Sequence, residues 1–378
     1  MRRLLLIILI VFNAFPYAKV FAQDNERIRL ISADSLVSVV KNNKTVTMLV
    51  GNVKLIQGVA KIRCGIAWFN DKDQYAELKR NVVIFDGKRT LKADYVFYNG
   101  KTRTELAKGN VILSQGKRVL KTPRLKYDQK NMQAEAFDKV DLTDLVKGVE
   151  LQGKEAKYDR KGDHALLSSG VRIVKTDSAG SDTIKISGIT AEAWGKKQQV
   201  LISDSVIIVR SRMHAVCSSA LYSADPPGIM LSGSPRVWIE NQVLSGNEIY
   251  MKLKELSFEG GKITGNAVIT VKDSLTGKED FMSGDTIYIE ARNDTLTKVD
   301  VRSQATSIYH ISEEEEEPGT NNISGDRIIL YFNDEQKLGR VIIKSSPGTC
   351  SGKYSPEGSG QAKIKKKSKL LTKGRKIF

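Results

Sequence analysis

The chain has 378 residues, with 60 Lys plus Arg against 43 Asp plus Glu and a net charge of +17. A single core stops growing well short of that length, so the chain must either divide into domains or grow by repetition. Apolar residues at 40% exclude a wholly disordered or collagenous chain, and 3 Cys exclude a disulfide framework.

Arg2 and Arg3 open the chain, an apolar run follows from Leu4 to Phe15, and Val20-Phe21-Ala22 ends it on a small residue. This is the pattern of a secretory signal peptide over residues 1–22. The apolar run is about twelve residues, short of the roughly 20 that cross a bilayer, so cleavage is expected rather than retention as an anchor. The mature chain then starts near Gln23 in an exported compartment.

From residue 23 to 344 the chain repeats itself. Valines recur at 53, 82, 111, 140, 171, 206, 237 and 268, and the first copies read GNVKLIQG, NVVIFDG and GNVILSQG. A second column holds small residues: Cys64, Ala93, Thr122, Gly153, Gly188, Cys217, Gly246, Gly284 and Gly325. The step from a small residue to the next valine is constant from Cys64 to Gly188, while the other half of the unit varies, so insertions collect on one edge of a stack. Later units lack the asparagine before the valine and read Lys139, Gly170, Ser205, Arg236 and Ala267 there. Within a unit, Val53 and Leu55, Val82 and Ile84, and Val111 and Leu113 alternate toward Gly-containing turns, and helical periodicity is absent. The expectation is an all-β stack of about ten units, each contacting its neighbours. Five residues after the small column stands a third, with Phe69, Tyr98, Tyr127 and Tyr158 among its members. It reads first as core, and in an incompletely closed stack the same interior would face an apolar ligand.

Little chemistry is built on this frame. His164, His214 and His310 fall in different units without ligand spacing and read as surface or loop residues. Asp34, Asp94, Asp285 and Asp326 sit beside the small column. A pair of them would suit a glycosidase, but sister units carry Gly65, Pro123, Lys154 and Asn247 in that place, which favours a turn or edge role. Cys64 and Cys217 lie five units apart, on the order of 50 Å along a stack, too far for a disulfide. The run Glu313 to Glu317 reads as a solvated hairpin tip rather than a calcium loop. No catalytic residue, metal ligand or cofactor motif is expected.

Residues 345–378 read as a Ser/Gly/Pro linker with an exposed Cys350, then a polybasic tail with Lys365, Lys366, Lys367 and Lys369. Those lysines suit an anionic membrane or lipid phosphates. Tail and signal segment carry eleven of the cations, leaving 49 basic and 43 acidic residues between them, a balance of +6. Nucleic acid is therefore not the expected partner.

The words GNVKLIQG at Gly51, LKADYVFY at Leu91, GNVILSQG at Gly109 and ISADSL at Ile31, iterated behind a signal peptide, resemble the OstA-like proteins of lipopolysaccharide transport. That group includes LptA and the periplasmic part of LptD. The match is good over 28–160 and more divergent over 161–344. The resemblance implies an elongated open β-jellyroll in the periplasm, in which acyl chains of lipopolysaccharide or lipooligosaccharide lie between two sheets. It implies strand-edge partners, LptC-like and LptD-like proteins, and head-to-tail self-association. Groove candidates are Val53, Leu55, Phe69, Val82, Ile84, Phe97, Tyr98, Val111, Leu113 and Tyr127. Two other classes remain open: a structural β-solenoid of the envelope, needing a filled interior, and a carbohydrate-active β-helix enzyme, needing acids clustered on one face.

Overall fold

The computed structural model describes residues 28–356 apart from 42–43, 71–74, 255, 273–276, 312–318 and 334–337. The expected signal peptide, the Glu313–Glu317 run and the four tail lysines lie outside the described residues. Those described form 26 strands and no helix, as the alternating pattern predicts. Chain contacts divide them into two compact units, residues 28–181 with 187–202 and residues 182–186 with 203–356, where a single repeat domain was expected.

The N-terminal unit holds β1 (Arg29–Ser32), β2 (Ser35–Lys41), β3 (Lys44–Gln57), β4 (Ala60–Asn70), β5 (Tyr75–Phe85), β6 (Thr90–Asn99) and β7 (Thr104–Gln115). It continues with β8 (Arg118–Asp128), β9 (Gln133–Phe137), β10 (Val140–Asp144), β11 (Val149–Gly153), β12 (Glu155–Asp159) and β13 (His164–Thr176). β14 (Thr183–Trp194) and β15 (Gln199–Arg210) contribute residues to both units. The C-terminal unit then runs through β16 (Met213–Ala224), β17 (Pro227–Ser232), β18 (Arg236–Ile239), β19 (Gln242–Ser245), β20 (Glu248–Lys254) and β21 (Ser257–Lys272). Its last strands are β22 (Glu279–Arg292), β23 (Thr295–Ile311), β24 (Gly319–Phe332), β25 (Leu338–Lys344) and β26 (Ser351–Pro356). β26 corrects the linker reading: its residues pair antiparallel with the first half of β24, so the sheet continues past residue 344.

The repeat word is a corner. Pairing from β3 through β8 breaks at one level in every strand, between Val50 and Val53, Arg63 and Ile66, Lys79 and Val82, Lys92 and Tyr95, and Lys108 and Val111. Two consecutive left-handed residues form the break: Gly51 and Asn52 at φ 77° and 44°, Gly109 and Asn110 at 72° and 47°. Glycine adopts that conformation freely, and asparagine is the side chain that tolerates it best. A Cβ on Gly51 or Gly109 would also fall into the carboxylate of Asp34 or Asp94. Those carboxylates accept hydrogen bonds from Asn52 Nδ2 at 3.0 Å and Asn110 Nδ2 at 2.8 Å. The repeated aspartates therefore secure corners.

Each long strand is thus bent into two arms. One, the valine arm, carries Val53, Val82 and Val111 directly opposite the small residues Cys64, Ala93 and Thr122. The other, the tyrosine arm, carries Tyr98 and Tyr127. No helix covers either arm, yet Val53, Leu55, Leu78 and Val111 are no more than 2% exposed, so within a unit the two arms bury each other. One column position is corrected: after Gly265-Asn266 the inward residue is Ala267, fully buried, while Val268 is half-buried and faces outward. The Gly-Asn word is therefore kept in that unit, with alanine in the valine's place.

Candidate functional site

The buried apolar side chains of each unit lie between its arms. The floor of this interior is the corner, where Val53, Val82, Val111 and Ile84 are at most 3% exposed and packed against the facing arm. Toward the rim the lining opens: Phe69, Tyr98, Leu113 and Tyr127 are half-buried. Phe97 does not belong with them. It pairs directly with Glu77 and stacks near Tyr75, with ring centroids 6.2 Å apart, on the outer face. Side chains alternate along a strand, so the neighbour of inward Tyr98 must point out.

Buried polar groups that composition could not reveal line the rim of the N-terminal unit. Glu105, directly opposite both Tyr98 and Tyr127, is 8% exposed and accepts a hydrogen bond from Gln129 Nε2 at 2.6 Å. Burial pushes its carboxyl up to about 8, against the opposing pull of Gln129 and of the Arg89 guanidinium. Arg89, also buried, comes from the valine-arm turn and pairs with Asp86 at 2.7 Å. Tyr98 and Tyr127 are raised as well, by burial first and by the Glu105 charge second.

The C-terminal unit holds a cavity of about 120 Å³ between its arms. Met213, Val237, Ile239 and Leu244 line one side, and Ile249, Met251, Ile263, Ile289 and Leu296 the other. Arg210 ties the arms at its edge: Nε donates to Asp182 at 2.6 Å, and Nη1 and Nη2 grip Asp294 at 3.1 and 3.3 Å. Asp294 is itself held by the Phe258 amide at 2.7 Å. Two carboxylates hold the Arg210 guanidinium above its ordinary pKa, although burial acts against them.

The other candidates take structural places. His164, His214 and His310 stand in strands rather than loops: His164 stacks on Trp194 and meets Glu192 at 3.1 Å, His214 lies against Trp238, and His310 meets Asp280 at 3.0 Å. Among the described residues no three His, Cys, Asp or Glu converge as a metal site. Cys64 and Cys217 are buried free thiols, each pushed up to about 11 by desolvation, and Cys350 is an exposed free thiol.

Antiparallel strands each bent once at a repeated Gly-Asn corner around an apolar interior define a class of β-jellyroll. Residues 25–185 match the sequence profile of the family described as OstA-like protein, which bears out the resemblance read from the repeat words over that segment. A solved structure, LptH from Pseudomonas aeruginosa, described as the LptA-homologous periplasmic component of a lipopolysaccharide transport device, is similar at 12% identity. The similarity covers 39% of this chain and 82% of that one, with a TM-score of 0.24, too low to carry an argument. Among curated proteins none matches. No helix among the described residues is long and apolar enough to cross a membrane.

Proposed function

We propose that this chain is a non-enzymatic periplasmic carrier that holds acyl chains of lipopolysaccharide or lipooligosaccharide between its two arms. The observation that carries the reading is the apolar interior shared by paired arms, with half-buried Phe69, Tyr98, Leu113 and Tyr127 at the rim, in a segment that matches the OstA-like profile. Burial of methylenes at about 0.8 kcal/mol each supplies the affinity without any specific polar contact. The arms are closely packed at the corner, so acyl chains enter from the rim and the arms part to admit them. LptC-like and LptD-like partners, or a second copy, would add strands at the ends. There β1 and β2 pair only with β3 among the described strands and expose Leu30, Ile31, Leu36 and Val40. Lys365, Lys366, Lys367 and Lys369 would add contacts to lipid phosphates or an anionic membrane.

One observation favours a second reading, a structural β-scaffold: the inner rows are almost entirely filled by their own side chains. A photo-crosslinking residue at Tyr98 or Tyr127, compared in cells with one at outward Phe97, separates the two. The carrier captures lipopolysaccharide from the two inward positions only. Equal capture at all three, or none at any, removes the carrier reading and leaves the scaffold.

A further inference from the structure

The outer face of the valine arm carries a second pattern that the groove does not use. Across six neighbouring strands, residues in direct register read Lys54, Arg63, Val83, Lys92, Ile112 and Lys121. The next row toward the tips begins Ile56, Lys61 and Phe85. All five cations are exposed, as is Phe85, and the aliphatic residues between them are half-buried. No acidic residue stands in either stretch of β3–β8; on the next strand Asp141 stands opposite Lys121 but pairs with Lys139 at 3.1 Å, and none of the five cations forms an ion pair among the described residues.

The tyrosine arm's outer face behaves in the opposite way. Its Lys79 meets Glu77, Lys126 and Lys157 both reach Glu135, and Arg124 meets Asp138 and lies over Phe137. The tyrosine arm thus pairs most of its outward cations, Lys108 opposite Arg124 being the exception, and the valine arm leaves all five of its own without an ion pair among the described residues. Like charges directly opposite on neighbouring strands, as Lys54 and Arg63 are, destabilise a sheet, so the pattern does not serve the fold. Protection of a sheet edge does not explain it either, because β4 to β7 are paired on both sides.

The geometry points to a docking face for a bilayer surface bearing anionic headgroups. Six strands at about 4.8 Å spacing spread the cations over roughly 24 Å. Charges in a line on a sheet face, without a concave pocket, suit a delocalised planar anion better than a single bound molecule. The interleaved Val83, Ile112 and Phe85 give apolar contact of the kind that interfacial segments use. The face lies on the opposite side of the strands from the groove, so this inference stands independently of the carrier reading.

The test is sedimentation of the full chain with vesicles of phosphatidylcholine containing 30% phosphatidylglycerol by design, against phosphatidylcholine alone. Four chains are compared: the natural one, K54Q/R63Q/K92Q/K121Q, K365Q/K366Q/K367Q/K369Q, and the two sets combined. Each interfacial cation is worth about fivefold in partitioning. The face variant is expected to bind anionic vesicles at least tenfold more weakly with the tail intact, and the combined variant more weakly than the tail variant by a similar factor. The control K79Q/K126Q on the tyrosine arm stays within twofold of the natural chain. If the quadruple face variant misfolds by circular dichroism, K54Q and K92Q singly carry the test, each with a loss of about fivefold. Vesicle binding unchanged by the face substitutions in the tail-neutralised background overturns the proposal, even if that face captures an acidic protein instead.

Discussion

Glu105 shows how a single side chain is made unusual by its place. A carboxyl at the rim of an apolar interior holds its proton because charging it there costs solvation that Gln129 and Arg89 only partly return. The linkage runs against stability as pH rises. Below about 4.5 the group is protonated whether folded or unfolded and contributes nothing. Between there and about 8 the unfolded chain releases the proton while the folded chain keeps it, so folding loses free energy with every step upward. Glu105→Gln removes this slope. Its urea midpoint should equal that of the natural protein near pH 3.5, below the unfolded pKa, and exceed it by a margin that grows up to about pH 8; parallel profiles would refute the assignment. Asp300 works the other way. Burial alone would raise it, but hydrogen bonds from Arg327 and Arg302 outweigh that and hold it at about 2, so its contribution is lost only in strong acid.

The element that organises the fold is the corner, and here the sequence was most readable. The recurring Gly-Asn-Val words gave the period because each copy must place two left-handed residues at one level, and few residue types do so without strain. What spacing alone did not disclose is that the aspartates beside the small column serve these same corners, since Asp34 and Asn52 are 18 residues apart in the chain. Glycines at corner and tip separate the two demands. Gly116, at a hairpin tip with φ 58°, has open space where a Cβ would go, whereas at Gly109, φ 72°, the Asp94 carboxylate occupies it. Gly116→Ala should cost about 1 kcal/mol, from backbone conformation alone. Gly109→Ala should cost roughly 2–4 kcal/mol, because Asp94 must also leave Asn110. Equal costs in equilibrium unfolding would mean that the carboxylate does not hold the corner. Alternation carried in steps of two from inward Ala93 lands on Phe97, but the register break between Lys92 and Tyr95 changes the parity, so Val96 and Tyr98 face inward and Phe97, opposite Glu77, faces out.

At the scale of the whole chain, the +17 that opened the reading resolves into local patterns: cations paired on one outer face, bare on another, and gathered in the tail. The filled interior was the least legible feature. Alternation says which residues face inward, but whether two inward rows meet depends on the bend between them. A sheet built strand on strand, each bonded mainly to its neighbours, makes stability nearly one-dimensional. Gly265 offers the means to see this, because its left-handed corner lies against the Asn247 side chain, and Asn247 N donates to Thr264 O at 3.0 Å and Gly265 O at 2.8 Å. Gly265→Ala should therefore weaken amide hydrogen-exchange protection first in β20, β21 and β22, which meet at that corner. The loss should shrink through β23 and β24 and vanish in β3 to β8 of the N-terminal unit. A fully cooperative protein would instead lose protection equally in every strand. Exchange resolved by mass spectrometry distinguishes a graded loss from a uniform one. A uniform loss would require coupling beyond neighbouring strands, which a ladder of paired strands does not supply.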